Sequence, residues 1–157
     1  MHLRFEAKKG KLSYHGQVVY RREEWSLDFL PNQVSDFDVI IVDMLNIAFL
    51  VMDTSIAYAC QICGYHPHTI WIKKELSLPT FFEGSLILHS DVVNEFDNVK
   101  LEGAERWKTY YDEALGWLCI GNERKDQEDR AVEFATGIIA VVNKQRLKSL
   151  WLKPIFI

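Results

Sequence analysis

The sequence predicts a mainly β, single-domain fold: an antiparallel sheet or meander with one or two short helices, with α+β as the alternative. Three observations lead there. The stretch from Gly116 to Pro154 reads GWLCIG, crosses a charged loop NERKDQEDR and returns as AVEFATGIIAVVNKQRLKSLWLKP. Its aromatic and β-branched runs, separated by Asn, Gly and mixed charge, are how half-buried strands joined by short turns are written. The N-terminus alternates apolar with charged residues from Leu3 to Ala7. Finally, 157 residues with 48% hydrophobic and 13% aromatic content suffice for one core, and no linker, repeat or low-complexity tract divides residues 1–157.

In chain order, Leu3 to Ala7, Leu12 to Tyr14 and Gln17 to Tyr20 read as an opening meander, broken at Lys8–Lys11 and at His15-Gly16. Trp25, Leu27 and Phe29 then recur at period two before Pro31, as in an edge strand or an extended loop. From Phe37 to Met52 the chain is too apolar for an exposed face: it is either two buried strands turning near Met44 to Asn46 or one buried helix, and the Val-Ile-Ile-Val cluster leans towards strands. Asp53-Thr54-Ser55 either caps a short helix over Ile56 to Cys63 or forms the tip of a hairpin returning through the same residues. Thr69 to Lys73 and Gly84 to Ser90 read as strands, and the polar stretch from Asp91 to about Glu102 is the second candidate helix. A hairpin follows, from Trp107 to Tyr111, through Asp112 to Leu115, and back over Gly116 to Gly121. Ala131 to Phe134, Gly137 to Val142 and Arg146 to Leu152 close the chain, the last with Leu147, Ser149 and Trp151 on one face, and Pro154 ending the pairing.

Charge and hydropathy exclude two partners. A net charge of -4 and an isoelectric point near 5.7 offer no clustered basic surface for a phosphate backbone, so no nucleic acid is expected. The longest apolar run, Val39 to Met52, contains Asp43 and Asn46, and a membrane span needs about 20 nearly uninterrupted apolar residues. The N-terminus lacks the order of a secretory signal, and three cysteines fit a reducing compartment, so a cytoplasmic location is expected.

The sharpest chemical pattern is Cys60-x-x-Cys63-Gly64 with His66 and His68. Two thiolates separated by two residues can bite one zinc ion, and glycine relieves crowding between them. A closed site usually draws its second ligand pair from a distant segment, whereas here all four lie close together. The alternative is that the cysteines pack as small apolar residues and the histidines sit at a turn. No cofactor is therefore expected, with zinc at these four residues as the alternative. His89-Ser90-Asp91 are consecutive and so cannot converge as a triad, and no nucleophile elbow or phosphate loop is present. The carboxylate pairs Glu23-Glu24 and Glu128-Asp129 read as surface.

The binding candidates are the aromatics Trp107, Tyr110, Tyr111 and Trp117 and the acids Glu123, Asp126, Glu128 and Asp129 of the loop that follows. Tyr and Trp anchor interfaces, and acids steer a basic partner. Cross-strand packing and a solvated loop are the plainer alternatives.

From Cys63 onward the chain resembles small uncharacterised bacterial proteins of firmicute type. The similar features are Gly64, Tyr65 and Pro67 before Trp71; Trp107, Tyr110, Tyr111 and Asp112; Gly116 to Gly121; and Leu150 to Pro154. In general character it is also similar to bacterial toxin-immunity proteins, which are small, acidic and aromatic-rich. That resemblance implies a non-catalytic protein-binding module whose partner is a basic toxin domain.

Overall fold

A computed structural model describes residues 3–35, 37–91 and 98–157. In chain order the strands are β1 Leu3–Lys9, β2 Gln17–Arg21, β3 Ser26–Leu30, β4 Asp38–Val42, β5 Leu45–Val51, β6 Ile56–Tyr65, β7 Ile72–Lys73, β8 Phe81–Ser90, β9 Val99–Lys100, β10 Thr109–Asp112, β11 Trp117–Gly121, β12 Arg130–Ala135, β13 Ile138–Asn143, β14 Arg146–Leu152 and β15 Pro154–Phe156. All of them hydrogen-bond into one curled, mixed sheet, along the path β15-β2-β3-β6-β8-β12-β13-β14-β11-β10-β7. Off that path, β1 pairs with β8, β5 joins β4 to β6, and β9 pairs with β4.

Strand β8 is the hinge of this arrangement. Its first residues, Phe81–Glu83, run parallel to β12, and from Gly84 onward it runs antiparallel to β1, with Ile87–His89 serving as its contact with β6. Gly84 permits the crossing, since a Cβ there would lie 1.9 Å from the carbonyl oxygen of Lys8. The curl brings the two ends of the path together through side chains: the Phe156 ring of β15 lies 5.7 Å from Tyr111 of β10 and 6.1 Å from Trp71, which precedes β7.

The inside of the curl is the main core, including Leu27, Phe29, Ile47, Phe49, Leu86, Phe134 and Leu150. A second layer lies on the other face, where Trp117, Cys119, Ala131, Ile139, Val141 and Trp151 are covered by Leu76 and Leu78. Asp112 fixes that cover: its carboxylate accepts from the Leu76 amide at 2.8 Å and from the Leu115 amide at 3.0 Å. The backbone donors hold its carboxyl below the usual range.

Mainly β is correct, but a simple antiparallel meander is not: β7, β9, β12 and β15 each make a parallel pairing. The opening meander is replaced by long-range pairing, because β1 finds β8 rather than its neighbour, and Leu12–Tyr14 contributes only a bridge from Tyr14 to Ala135. Strand β3 is internal, between β2 and β6, not at an edge. Phe37 to Met52 is the two-strand alternative, β4 and β5 turning at Asp43-Met44. Ile56 to Cys63 is the hairpin alternative and not a helix. Asp53 does accept from the Ser55 amide at 2.8 Å, a bond shared by helix caps and Asx turns, but the Met52 amide pairs with Ile56 and closes a hairpin. The candidate helix from Asp91 to Glu102 falls largely on 92–97, outside the described residues; Val99–Lys100 beyond it is strand. Thr69 to Lys73 is a 3-10 turn, His68–Ile70, followed by the two-residue β7.

In β14, Leu147 joins Leu150 and Leu152 in the main core, away from Ser149 and Trp151. Its register with β13 shifts between Ser149 and Leu147, and one extra residue in a strand reverses side-chain parity. Pro154 does not end pairing; it begins β15, which lies parallel to β2. No helix among the described residues is long and apolar enough to cross a membrane.

Candidate functional site: an acidic, aromatic tip

Three chain segments converge at one end of the sheet. They are the turn before Ser26, the Asp43-Met44 turn, and the end of β6. The His66 amide donates to the Trp25 carbonyl at 2.7 Å, and the Tyr65 amide to the Met44 carbonyl at 3.3 Å. Leu45 is paired with Gly64, and Ser26 with Tyr65. Gly64 has φ 138, and a Cβ on it would come 2.6 Å from the Met44 carbonyl oxygen, so only glycine lets these turns approach this closely.

The side chains presented there are large, apolar and open to solvent: Trp25 is 42%, Met44 48% and Tyr65 59% exposed. Glu23, Glu24 and Asp43 are exposed in the same turns. The two cations that precede Glu23 in the chain are engaged elsewhere, Arg21 with Asp28 at 2.7 Å and Arg22 over the Phe156 ring at 4.8 Å. Trp25 and Asp43 both adopt φ 57. For a bulky residue such as Trp this is a conformational outlier, and such strain concentrates where a side chain must be presented in a particular direction.

Behind the tip lies a buried histidine whose protonation state the geometry dictates. His66 is 3% exposed. The Trp71 indole N–H donates to its Nδ1 at 2.8 Å, and its Nε2 lies 2.9 Å from Thr109 Oγ1. Since indole is a donor only, Nδ1 is the acceptor and the ring proton resides on Nε2, donated to Thr109. A second proton on Nδ1 would face the indole N–H directly. Burial pushes the His66 pKa below its usual value, against a smaller opposing pull from Asp43. The Tyr20 hydroxyl donates to the His66 carbonyl, and its oxygen lies 3.4 Å from His68 Nδ1. Tyr20, Trp71, Tyr111 and Phe156 stack around this centre with ring centroids 4.9–6.1 Å apart. The result is a stiff aromatic support beneath the Trp25 and Tyr65 backbone.

The four sequence-suggested zinc ligands enter different neighbourhoods. Cys60 lies at the register shift of β6, its Sγ 3.3 Å from the Tyr14 hydroxyl. Burial raises its pKa, and that of Cys63 beside Asn46 and Asp28. Both ring nitrogens of His66 are committed to hydrogen bonds, and His68 is exposed beside Tyr20. Among the described residues no three His, Cys, Asp or Glu side chains form a group that could hold a metal ion.

The suggested binding residues are brought together in part: Trp107, Tyr110 and Glu123 border one surface hollow, while Trp117, Asp126, Glu128 and Asp129 stand outside it. Trp107 and Tyr111 pack against the main core, and Trp117 is buried in the second layer. Tyr110 carries the Lys74 ammonium over its ring at 5.0 Å. Glu123 bonds to the same lysine at 3.0 Å, and Asp129 bonds to Lys148 at 2.6 Å and to the Asn143 amide at 2.8 Å. Burial would raise both carboxyl pKa values, but these donors outweigh it and lower them. Asp126 accepts from the Glu128 amide, and Glu128 meets Lys144 at 3.7 Å. His89 pairs with Glu6 at 2.9 Å instead of with its chain neighbours.

Sequence reasoning missed Trp25, Met44 and Tyr65. Period two placed Trp25 on the face of Leu27 and Phe29, but the left-handed turn at Trp25 rotates it outwards. The available sign was the tetrad Arg-Glu-Glu-Trp, in which a large aromatic sits in a charged turn. No protein-family model matches the chain, and no curated protein matches it.

Proposed function

We propose that this chain is a non-catalytic protein-binding module whose contact surface is the Trp25–Met44–Tyr65 tip and whose partner is a basic protein. In its most concrete form it is an immunity-type inhibitor that covers a bacterial toxin. The observation behind this reading is the gathering, from two turns and the end of β6, of three exposed large side chains within a rim of Glu23, Glu24 and Asp43. Exposed Trp and Tyr on a rigid support supply contact area at little entropic cost, and such residues dominate binding energy at interfaces. The carboxylates beside them, which make no ion pair among the described residues, favour encounter with a basic surface and disfavour an acidic one.

The test is a titration of the partner, captured from the native host and purified, against the wild type and the Trp25→Ser and Tyr65→Ser variants. Each substitution exposes no core and should leave folding intact. Each is expected to weaken binding about 30-fold, as the loss of roughly 2 kcal/mol at an anchor residue implies. Unchanged affinity in both variants, or loss only on substitution of Tyr110 or Asp126, would place the contact elsewhere.

A further inference from the structure

A cavity of about 510 Å³ opens where β1, the segment from β9 to Arg106 and the start of β14 meet. Its volume is that of a small-molecule site, for which ~300–1,000 Å³ is typical. The junction is fixed by backbone: the Phe5 amide donates to the Gln145 carbonyl at 2.8 Å, and the Leu101 amide to the Ile41 carbonyl at 2.8 Å. Leu3, Phe5, Leu101 and Leu147 give it an apolar lining. Lys144 and Gln145 in the turn have φ 51 and φ 65, a conformation for which Asn-Gly is the usual sequence. The strained turn delivers Arg146 to the cavity, as strain retained at a working site does.

Lys100, Arg106 and Arg146 line the cavity. Among the described residues, Lys100 and Arg146 make no ion pair, and Arg106 reaches only Glu105, at 4.0 Å and in the open. On the other side of Phe5 the cations are engaged: Arg4 with Asp91 at 3.8 Å, Lys144 with Glu128 at 3.7 Å, and Arg130 over the Phe82 ring at 5.0 Å. Among the described residues, these three cations thus stand with little close neutralisation beside the apolar wall of the hollow. Glu102 shares the rim and opposes a second negative charge on whatever enters.

We propose that this cavity binds a small organic monoanion, a carboxylate bearing an apolar tail. The carboxylate meets Arg146 and Lys100, the guanidinium fork matching its two oxygens, and the tail rests on Leu3, Leu101 and Leu147. The site is independent of the tip, and the Trp25→Ser variant should bind the same ligand unchanged.

Calorimetric titration of the full chain with decanoate tests this, with acetate, sebacate and decyltrimethylammonium as comparisons. Decanoate is expected to bind saturably at one site, with sebacate weaker and the other two not saturating. The double variant Lys100→Gln, Arg146→Gln should bind decanoate at least about tenfold more weakly, as loss of charge-assisted contacts implies. A measurement on the wild type alone guards against misfolding of that variant: decanoate should shift the methyl resonances of Leu3, Leu101 and Leu147. An acetylated Ala-Leu-Leu peptide with a free C-terminal carboxylate separates the two sources of such a ligand, the tighter binder identifying a free acid or a chain terminus. No saturable binding of decanoate, binding matched by acetate, equal affinity in a folded double variant, or shifts confined to other residues would each overturn the proposal.

Discussion

Acidification below pH 6.5 should destabilise this protein through His66 in particular. In the fold, the ring accepts from the Trp71 indole and donates to Thr109, an arrangement available only to the neutral Nε2–H tautomer. The charged and titratable groups around it are Asp43 from the β4–β5 turn, His68 and Tyr20 beside its own carbonyl, and, beyond Trp71, Tyr111 with Arg22. Asp43 favours the imidazolium, and burial outweighs it. The pKa of His66 is therefore depressed in the folded state, while the unfolded chain retains the ordinary 6.5. The unfolded chain takes up the proton first, so stability is complete above pH 6.5 and falls as pH drops through it. One proton taken up by the unfolded chain alone sets the limit of this slope, about 1.4 kcal/mol per pH unit. Urea titrations at intervals from pH 8 to pH 5 measure it, with the midpoint expected to fall below pH 6.5 by no more than about 0.7 M per pH unit through this residue. His66→Asn serves as the reference, because its amide oxygen can still accept from Trp71 and it carries no titrating ring. The variant is expected to be less stable at pH 8, by about 1–2 kcal/mol for the lost Thr109 bond and packing, with the gap narrowing towards pH 5. Parallel profiles for the two proteins would refute the neutral lock.

Three further outcomes follow from particular contacts. Asp43→Gly should stabilise the fold by about 1 kcal/mol by relieving the left-handed backbone at the first position of its two-residue turn, where glycine is favoured; a lower urea midpoint would contradict this. Gly84→Ala should cost about 3 kcal/mol or more, or prevent folding, since its Cβ meets the Lys8 carbonyl where β1 crosses β8; a thermal scan showing wild-type stability would remove β8 from its hinge role. Asp112→Ala should release the segment carrying Leu76 and Leu78 from the second layer, and hydrogen exchange at the Leu76 and Leu115 amides should accelerate while β13 amides stay protected.

The strands themselves were legible because their cause is local: β-branched and aromatic runs punctuated by turn residues located the β10–β11 hairpin and the three strands β12 to β14, and tilted Phe37 to Met52 towards two strands without deciding against a helix. What could not be read was which strand pairs with which. The parallel contacts of β15 with β2 and of β8 with β12 join residues far apart in sequence, and no periodicity records them. Parity arguments failed wherever one residue was inserted. The bulge near Lys148 returned Leu147 to the core, and the left-handed Trp25 left the face that Leu27 and Phe29 share. Of the acids in the 122–130 loop, Asp126 and Glu128 are exposed as the charge pattern suggests, but Glu123 and Asp129 are largely covered, and the lysines that pair with them, Lys74 and Lys148, come from other segments. Composition could nominate a Trp, a Tyr or a Met as an anchor. Only the fold brings Trp25, Met44 and Tyr65 to one place.

The most direct test places a photo-crosslinking amino acid at position 65 of the full chain, and in a second protein at position 110, each expressed in the native host and illuminated. A discrete adduct from position 65 and none from position 110 is the predicted result. An adduct from position 110 alone would contradict it and move the contact surface to the hairpin and its acidic loop.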